Sequence, residues 1–218
     1  MDLVIGIDFD NTLVSYDVLI QRVATEQGWI DPQKCRTKRE VREAVRNLPD
    51  GEVEWQRLQG MVYGPRIGEA KFIESVRPFF LACHKNGAKV YIVSHKTQTA
   101  KYDETQTDLR RAALGWMTEN GFFEKNGLGL SPEGVFFEGT RKEKLERIEK
   151  LGCTHFIDDL EEVFLEEGFP SGITKILYAP SGPDTSIPDT SFSDPRLPAV
   201  KVAPNWDEIT SYVFAPRD

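Results

Sequence analysis

The chain has 218 residues, of which 39% are hydrophobic and 28% charged, and its formal net charge is -8 at pH 7. This length and composition are typical of a globular protein with one sizeable domain, or a domain that carries a modest insertion. The acidic balance argues against a nucleic acid partner, because a surface that binds the phosphate backbone normally needs a basic excess.

The sequence contains no signal for a membrane or for secretion. No apolar run approaches the ~20 residues that span a bilayer, and the N-terminal segment lacks the basic region of a signal peptide. The three cysteines, Cys35, Cys83 and Cys153, lie far apart, which predicts reduced thiols rather than a disulfide framework or a zinc site. We therefore expect a cytoplasmic protein with no membrane partner.

The first predicted element is a buried strand that ends in two carboxylates. Residues 3–7 form a continuous apolar run, and Asp8 and Asp10 follow it. Side chains two residues apart in a strand point to the same side, so the two carboxylates are expected to lie together. Such a pair is unfavourable in a core but suits a site that binds a divalent metal and attacks phosphorus.

A block of helices follows the first strand. Its apolar periodicity and capping signals predict no strand between residues 17 and 73, and predict helices over 17–28, 37–48 and 52–63. The block is too long for a simple crossover between strands. We interpret residues 15–75 as an inserted helical cap, and residues 1–14 and 76–218 as the α/β core domain.

Strands and helices alternate in the remainder of the chain. The predicted strands cover 89–93, 135–137, 154–157, 173–178 and 199–202. The predicted helices cover 78–86, 104–120, 140–151, 160–167 and 206–214. Alternation of this kind predicts an α/β fold with a Rossmann-like, doubly wound parallel sheet. Residues 180–198, rich in Pro, Ser and Asp, predict a long loop.

Polar residues of distinct chemistry end several of these strands. The second strand ends at Ser94 and the fourth at Asp158 and Asp159, and Lys142 and Lys144 lie at the helix start that follows the third. In open α/β sheets, ligands bind outside the carboxyl ends of the strands, so these groups are expected to converge with the first pair of carboxylates in one crevice.

The predicted crevice contains what phosphoryl transfer requires. Asp8 is placed to attack phosphorus and form an acyl-phosphate, and Asp10 to protonate the leaving oxygen and later to activate water. Mg²⁺ prefers oxygen ligands, which Asp8, Asp158 and the backbone carbonyl of Asp10 would supply. Ser94 would bind a phosphoryl oxygen, and a lysine would add compensating positive charge.

Together these residues resemble the haloacid dehalogenase (HAD) superfamily of phosphohydrolases. The resemblance rests on the set Asp8-x-Asp10-x-Thr12, Ser94, a lysine near 144 and Asp158-Asp159, and covers residues 1–14 and 76–178. It implies that the first aspartate is the nucleophile, that the second is the acid/base, and that the serine and the lysine bind phosphate. It further implies that an acidic residue of the fourth motif holds magnesium, and that the helical insertion is a small cap that sets specificity.

Two positions within these motifs need comment, namely residue 11 and the lysine. Asn11 stands where many members carry glycine, and asparagine tolerates tight turns. Lys142 and Lys144 both lie near the expected lysine position. We favour Lys144, because the Thr-Arg-x-x-Lys arrangement before Phe-Ile-Asp-Asp resembles the compact nucleotidase-like members.

The resulting prediction is a magnesium-dependent phosphohydrolase that acts on a small phosphorylated metabolite through an aspartyl-phosphate. A phosphotransferase or mutase of the same superfamily is the first alternative. A receiver-like regulatory protein is the second, but such domains have about half this length and lack a helical insertion after the first strand. The third is a non-catalytic sensor of a phosphorylated ligand, which the presence of Asp10 disfavours.

Three further features have two interpretations each. His95 is expected to contribute only its backbone N–H to the phosphate loop; the alternative is a contact of its side chain with substrate. The basic run over residues 34–46 predicts a solvated helix face or an electropositive cap. Arg66 fits either a substrate anion or a hinge.

Overall fold

The computed structural model of the protein describes residues 2–103, 105–180 and 200–214. The chain divides into two compact units. Unit 1 consists of Met1–Leu13, Ile73–His95 and Phe122–Asp218, and unit 2 consists of Val14–Phe72 and Lys96–Gly121.

Unit 1 is built on a six-stranded sheet with the order β5-β4-β1-β6-β7-β8, in which every neighbouring pair is parallel. Its strands are β1 (Val4–Ile7), β4 (Lys89–His95), β5 (Val135–Glu138), β6 (His155–Asp158), β7 (Thr174–Tyr178) and β8 (Val200–Ala203). β1 is buried along its whole length, as its continuous apolar run predicts. The predicted α/β fold with a Rossmann-like parallel sheet is confirmed.

Among the described residues of unit 1, four α-helices accompany this sheet. They are α4 (Val76–Lys85), α6 (Arg141–Lys150), α7 (Glu161–Leu165) and α8 (Trp206–Phe214). β1 and β6 pack so closely that a Cβ on Gly6 would lie 2.6 Å from the Phe156 ring. A larger residue at position 6 would therefore displace the ring of Phe156, which lies on the strand that ends at Asp158.

Unit 2 is mainly helical. Its helices are α1 (Asp17–Glu26), α2 (Lys38–Arg46), α3 (Gly51–Tyr63) and α5 (Leu109–Glu119), and a short antiparallel pair joins β2 (Val14–Ser15) to β3 (Lys71–Phe72). The predicted capping box at the start of α2 is present, with Glu40 N–H donating to Thr37 Oγ1 at 3.2 Å. The helical block after the first strand is thus confirmed.

Two details of unit 2 differ from the sequence-based expectation. The prediction that no strand lies between residues 17 and 73 was wrong, because β3 lies there. Its two residues are too few to show the alternating pattern of a strand. α5 begins at Leu109 rather than at 104. The reason is local: Asp103 accepts backbone N–H groups from Thr105 and Thr107 in a turn, and Asp108 then caps the helix.

The interpretation of residues 15–75 as a cap stays a prediction. Unit 2 also includes residues 96–121, which the sequence analysis counted with the core. The predicted loop over 180–198 lies, beyond Pro180, outside the described residues. None of the helices in the described part of the chain has the length and hydrophobicity needed to span a lipid bilayer.

Candidate active site

Asp8 and Asp158 lie side by side at the carboxyl edge of the sheet. β1 and β6 pair in parallel with Ile7 opposite Ile157, and an aspartate follows each of these two residues in the sequence. The Asp8 N–H donates to the Ile157 carbonyl at 2.9 Å, which continues the ladder to the edge. Both aspartates are buried, Asp8 with 5% and Asp158 with 0% of its surface exposed. The structure therefore brings together two carboxylates that are 150 positions apart in the chain.

Lys144 joins these two carboxylates. Thr140 and Glu143 form a capping box that starts α6, and Lys144 lies in the first turns of that helix. Its Nζ donates to Asp8 Oδ1 and to Asp158 Oδ2, each at 2.7 Å. Lys142, the alternative, has an 87% exposed side chain and pairs with Glu146 on the helix surface. Of the two lysines, only Lys144 belongs to the cluster.

Burial and the neighbouring carboxylates disfavour the ionised form of Asp8. Burial raises the pKa of Asp8 to about 7, against the opposing effect of Lys144, and the nearby carboxylates of Asp158 and Asp10 raise it further. For Lys144, burial disfavours the charged form, but Asp158 and Asp8 outweigh burial and hold its pKa above the usual value. The lysine is thus cationic at neutral pH, and a further cation beside the carboxylates would favour the ionised form of Asp8.

The same carboxylates fit a divalent metal ion. Asp8, Asp158 and Asp159 each offer an oxygen atom, and these atoms all lie within 4.8 Å of one another. Carboxylate oxygens are among the hard ligands that Mg²⁺ prefers, and a bound cation would stabilise the ionised carboxylates. The sequence analysis favoured Asp158 over Asp159, whereas the structure brings both into the cluster. The sequence analysis also assigned the backbone carbonyl of Asp10 as a metal ligand, and that assignment stays a prediction.

Comparison with known proteins bears on the fold. No protein-family model and no curated protein matches the sequence. Among solved structures, a HAD family hydrolase from Deinococcus radiodurans R1, with bound phosphate and sodium, is 17% identical with a TM-score of 0.53, covering 100% of this chain and 99% of that one. A HAD-superfamily hydrolase of subfamily IA from Geobacter sulfurreducens PCA is 15% identical with a TM-score of 0.51, covering 97% and 96%. The chain has the haloacid dehalogenase-like fold. The resemblance inferred from the sequence motifs is confirmed at that level.

Within this haloacid dehalogenase-like fold, Ser94 lies at the same sheet edge, one strand away from Asp8. Ile92 of β4 pairs with Ile7 of β1, and Ser94 follows two residues later with 1% of its surface exposed. Its role in binding phosphate stays a prediction.

Arg66, in unit 2, forms ion pairs with Glu26 and Glu69.

The turn that carries Asp10 ends β1 in a conformation suited to glycine or asparagine. Asn11 has φ of 59°, in the left-handed region, and the N–H groups of Thr12 and Leu13 both donate to the Phe9 carbonyl. Among the described residues, the buried Asn11 Oδ1 and Thr12 Oγ1 have no hydrogen-bond partner. Unpaired buried oxygens are rare and commonly mark a functional site, a bound water or an ion.

Two substitutions at Asn11 are expected to separate the effect of backbone strain on stability from the effect of losing the asparagine side chain. Asn11→Gly should leave the free energy of unfolding within about 0.5 kcal/mol of the wild-type value, because glycine adopts the left-handed region freely and no hydrogen bond to Oδ1 is lost. Asn11→Val should lower it by about 1–3 kcal/mol, since a β-branched residue is strained there. Urea denaturation measures both. Equal stability of the two variants would contradict a left-handed turn.

Proposed function

We propose that the protein is a magnesium-dependent phosphohydrolase that acts on a small phosphorylated metabolite through an aspartyl-phosphate. One observation carries the proposal: a buried Asp8–Lys144–Asp158 cluster at the carboxyl edge of a haloacid dehalogenase-like sheet. A buried charge cluster is costly for folding, so its place at the edge where such sheets bind ligands points to function.

Each residue has a distinct part in the proposed reaction. A carboxylate oxygen of Asp8 attacks phosphorus and forms the acyl-phosphate while the ester P–O bond breaks, and Asp10 gives its proton to the leaving oxygen. Asp10 then takes a proton from a water molecule, which attacks phosphorus, displaces Asp8 and releases inorganic phosphate. Ser94 donates a hydrogen bond to a phosphoryl oxygen throughout.

The charges of the cluster support this assignment. Lys144 holds Asp8 in place and contributes positive charge at the site of attack. Asp8, Asp158 and Asp159 would hold Mg²⁺, which, when bound, neutralises the negative charge of the phosphoryl oxygens. The related Deinococcus structure contains phosphate, which supports a phosphate site in a protein of this fold.

The proposal is tested by metal removal. The protein, dialysed against EDTA, is assayed for phosphate release from p-nitrophenyl phosphate and from a panel of sugar phosphates, nucleotides and phosphorylated acids. We expect Mg²⁺ to raise turnover about 100-fold or more, because the ion contributes several kcal/mol of charge stabilisation. Asp10→Asn should lower the restored rate by about 10²–10⁴-fold. Absence of phosphate release from every ester in the presence of Mg²⁺ would refute a phosphohydrolase.

The same assay separates hydrolysis from phosphotransfer. A phosphotransferase would move the phosphoryl group to an added alcohol or sugar instead of releasing it to water. Analysis of the products by ³¹P NMR distinguishes the two outcomes.

A further inference from the structure

His95 links the end of β4 to the loop that starts α6. It follows Ser94 directly, and its Nε2 lies 3.1 Å from the carbonyl oxygen of Gly139, 44 residues further along the chain. A carbonyl oxygen can only accept, so Nε2 carries the proton and donates it. The sequence analysis expected only the backbone of His95 to matter, and this side-chain contact has no counterpart in the sequence pattern.

The loop held by His95 determines where α6 begins. Gly139 immediately precedes Thr140, the residue whose capping box with Glu143 starts the helix. One turn later the helix presents Lys144 to the two buried aspartates. Any displacement of the 139–140 peptide therefore moves the start of the helix that carries the lysine.

A second contact holds the same helix to the sheet further along. Arg147 Nε donates to Glu138 Oε1 at 2.7 Å, so the second turn of α6 is joined to the end of β5. The Arg147 contact fixes the helix to its own preceding strand. Of these two contacts, only the hydrogen bond from His95 to Gly139 joins the start of the helix to β4, the strand that carries Ser94.

We propose that His95 is a positioning residue for phosphoryl transfer: its hydrogen bond to Gly139 fixes the start of α6, and with it Lys144, relative to Ser94. The inference rests on the proposed function, in which Lys144 and Ser94 act on the same phosphoryl group. The His95 side chain is exposed, so the contact contributes little burial to folding. Its main effect is on geometry, and catalysis is sensitive to displacements of about 1 Å.

Three substitutions and one control test the inference. His95→Ala removes the hydrogen-bond donor. His95→Gln places an amide N–H near the position of the histidine Nε2. The shorter side chain in His95→Asn places its amide N–H near the position of Nδ1, too far back to bond to Gly139. Arg141→Ala is the matched control, because Arg141 also lies at the start of α6 and makes one exposed hydrogen bond, at 3.2 Å, but to Glu166. Each variant is assayed with Mg²⁺ for kcat, KM and inhibition by inorganic phosphate, and its melting temperature is measured.

The expected result is a loss that the conservative variant restores. His95→Ala and His95→Asn should lower kcat/KM and weaken phosphate inhibition by about tenfold, on the scale of one hydrogen bond and a small displacement. His95→Gln should recover most of both, and Arg141→Ala should stay within about twofold of the wild type. Unchanged kinetics in His95→Ala, or an equal loss in His95→Gln, would overturn the inference.

A measurement independent of turnover keeps the two proposals separable. If the wild type hydrolyses no phosphate ester, the proposed function fails, and the ¹⁵N signal of the Lys144 ammonium group decides the question about His95. A shift of that signal in His95→Ala that is reversed in His95→Gln would support the positioning role. An identical signal in all variants would refute it.

Discussion

Replacement of Asp8 by asparagine is expected to abolish turnover while the protein stays folded. Asparagine has nearly the same shape and its Oδ1 can still accept the hydrogen bond from Lys144, but the amide cannot form an acyl-phosphate. Loss of an essential nucleophile lowers kcat on the order of 10⁴-fold or more. The measurement is phosphate release under saturating Mg²⁺, compared with the wild type.

The stability of Asp8→Asn gives an independent check. Because burial raises the folded-state pKa of Asp8 to about 7, the ionised form opposes folding increasingly as the pH rises from about 4 through 7. The variant should therefore be at least as stable as the wild type above pH 7 in EDTA. Asp2→Asn, at an exposed carboxylate that pairs with Lys89, is the control for activity. Normal turnover in Asp8→Asn would exclude Asp8 as the nucleophile.

Replacement of Lys144 by methionine is expected to have the largest effect on stability. The side chain is 2% exposed, and its loss leaves the carboxylates of Asp8 and Asp158 buried without their counter-ion. Removal of one partner of a buried ion pair costs about 3–5 kcal/mol. Urea denaturation in EDTA should show this loss. Added Mg²⁺ should reduce the difference from the wild type, because a bound cation replaces part of the missing charge.

Lys142→Met provides the matched control for this prediction. It makes the same substitution two residues away, at a side chain that is 87% exposed. Its free energy of unfolding should lie within about 0.5 kcal/mol of the wild-type value, and its turnover should be unchanged. If the two variants lost the same stability, or if only Lys142→Met lost activity, the assignment of the buried cation to Lys144 would be wrong.

The sequence predicted the sheet and the convergence of its polar strand ends because both follow from short-range patterns. A continuous apolar run that stops at Asp8, and a short strand pattern over residues 154–157 that stops at Asp158, indicate buried parallel strands with acidic carboxyl ends. The capping signal at Thr140 located α6. The general rule on ligand sites then placed these ends at one edge, where the structure brings Asp8 and Asp158 together.

Other features were missed because they depend on long-range contacts, or on a local turn that competes with a predicted helix. The pairing of β2 with β3 involves two residues on each strand, too few to produce an alternating pattern. The true start of α5 depends on the turn around Asp103, which competes with helix formation. The contact of His95 with Gly139 spans 44 residues and depends on the register of two strands. None of these contacts changes the periodicity of the sequence.

The position of β1 in the sheet has a consequence for how the protein is made. The Thr154 hydroxyl donates a hydrogen bond to the Val4 carbonyl across 150 residues. At about 5–20 residues per second, the ribosome therefore synthesises β6 roughly 8–30 s after β1. During that interval one edge of an apolar strand has no partner, and an unpaired strand edge is prone to associate with other chains. Nascent-chain aggregation, and any need for a chaperone, should therefore be greatest before residue 158 has left the ribosomal exit tunnel.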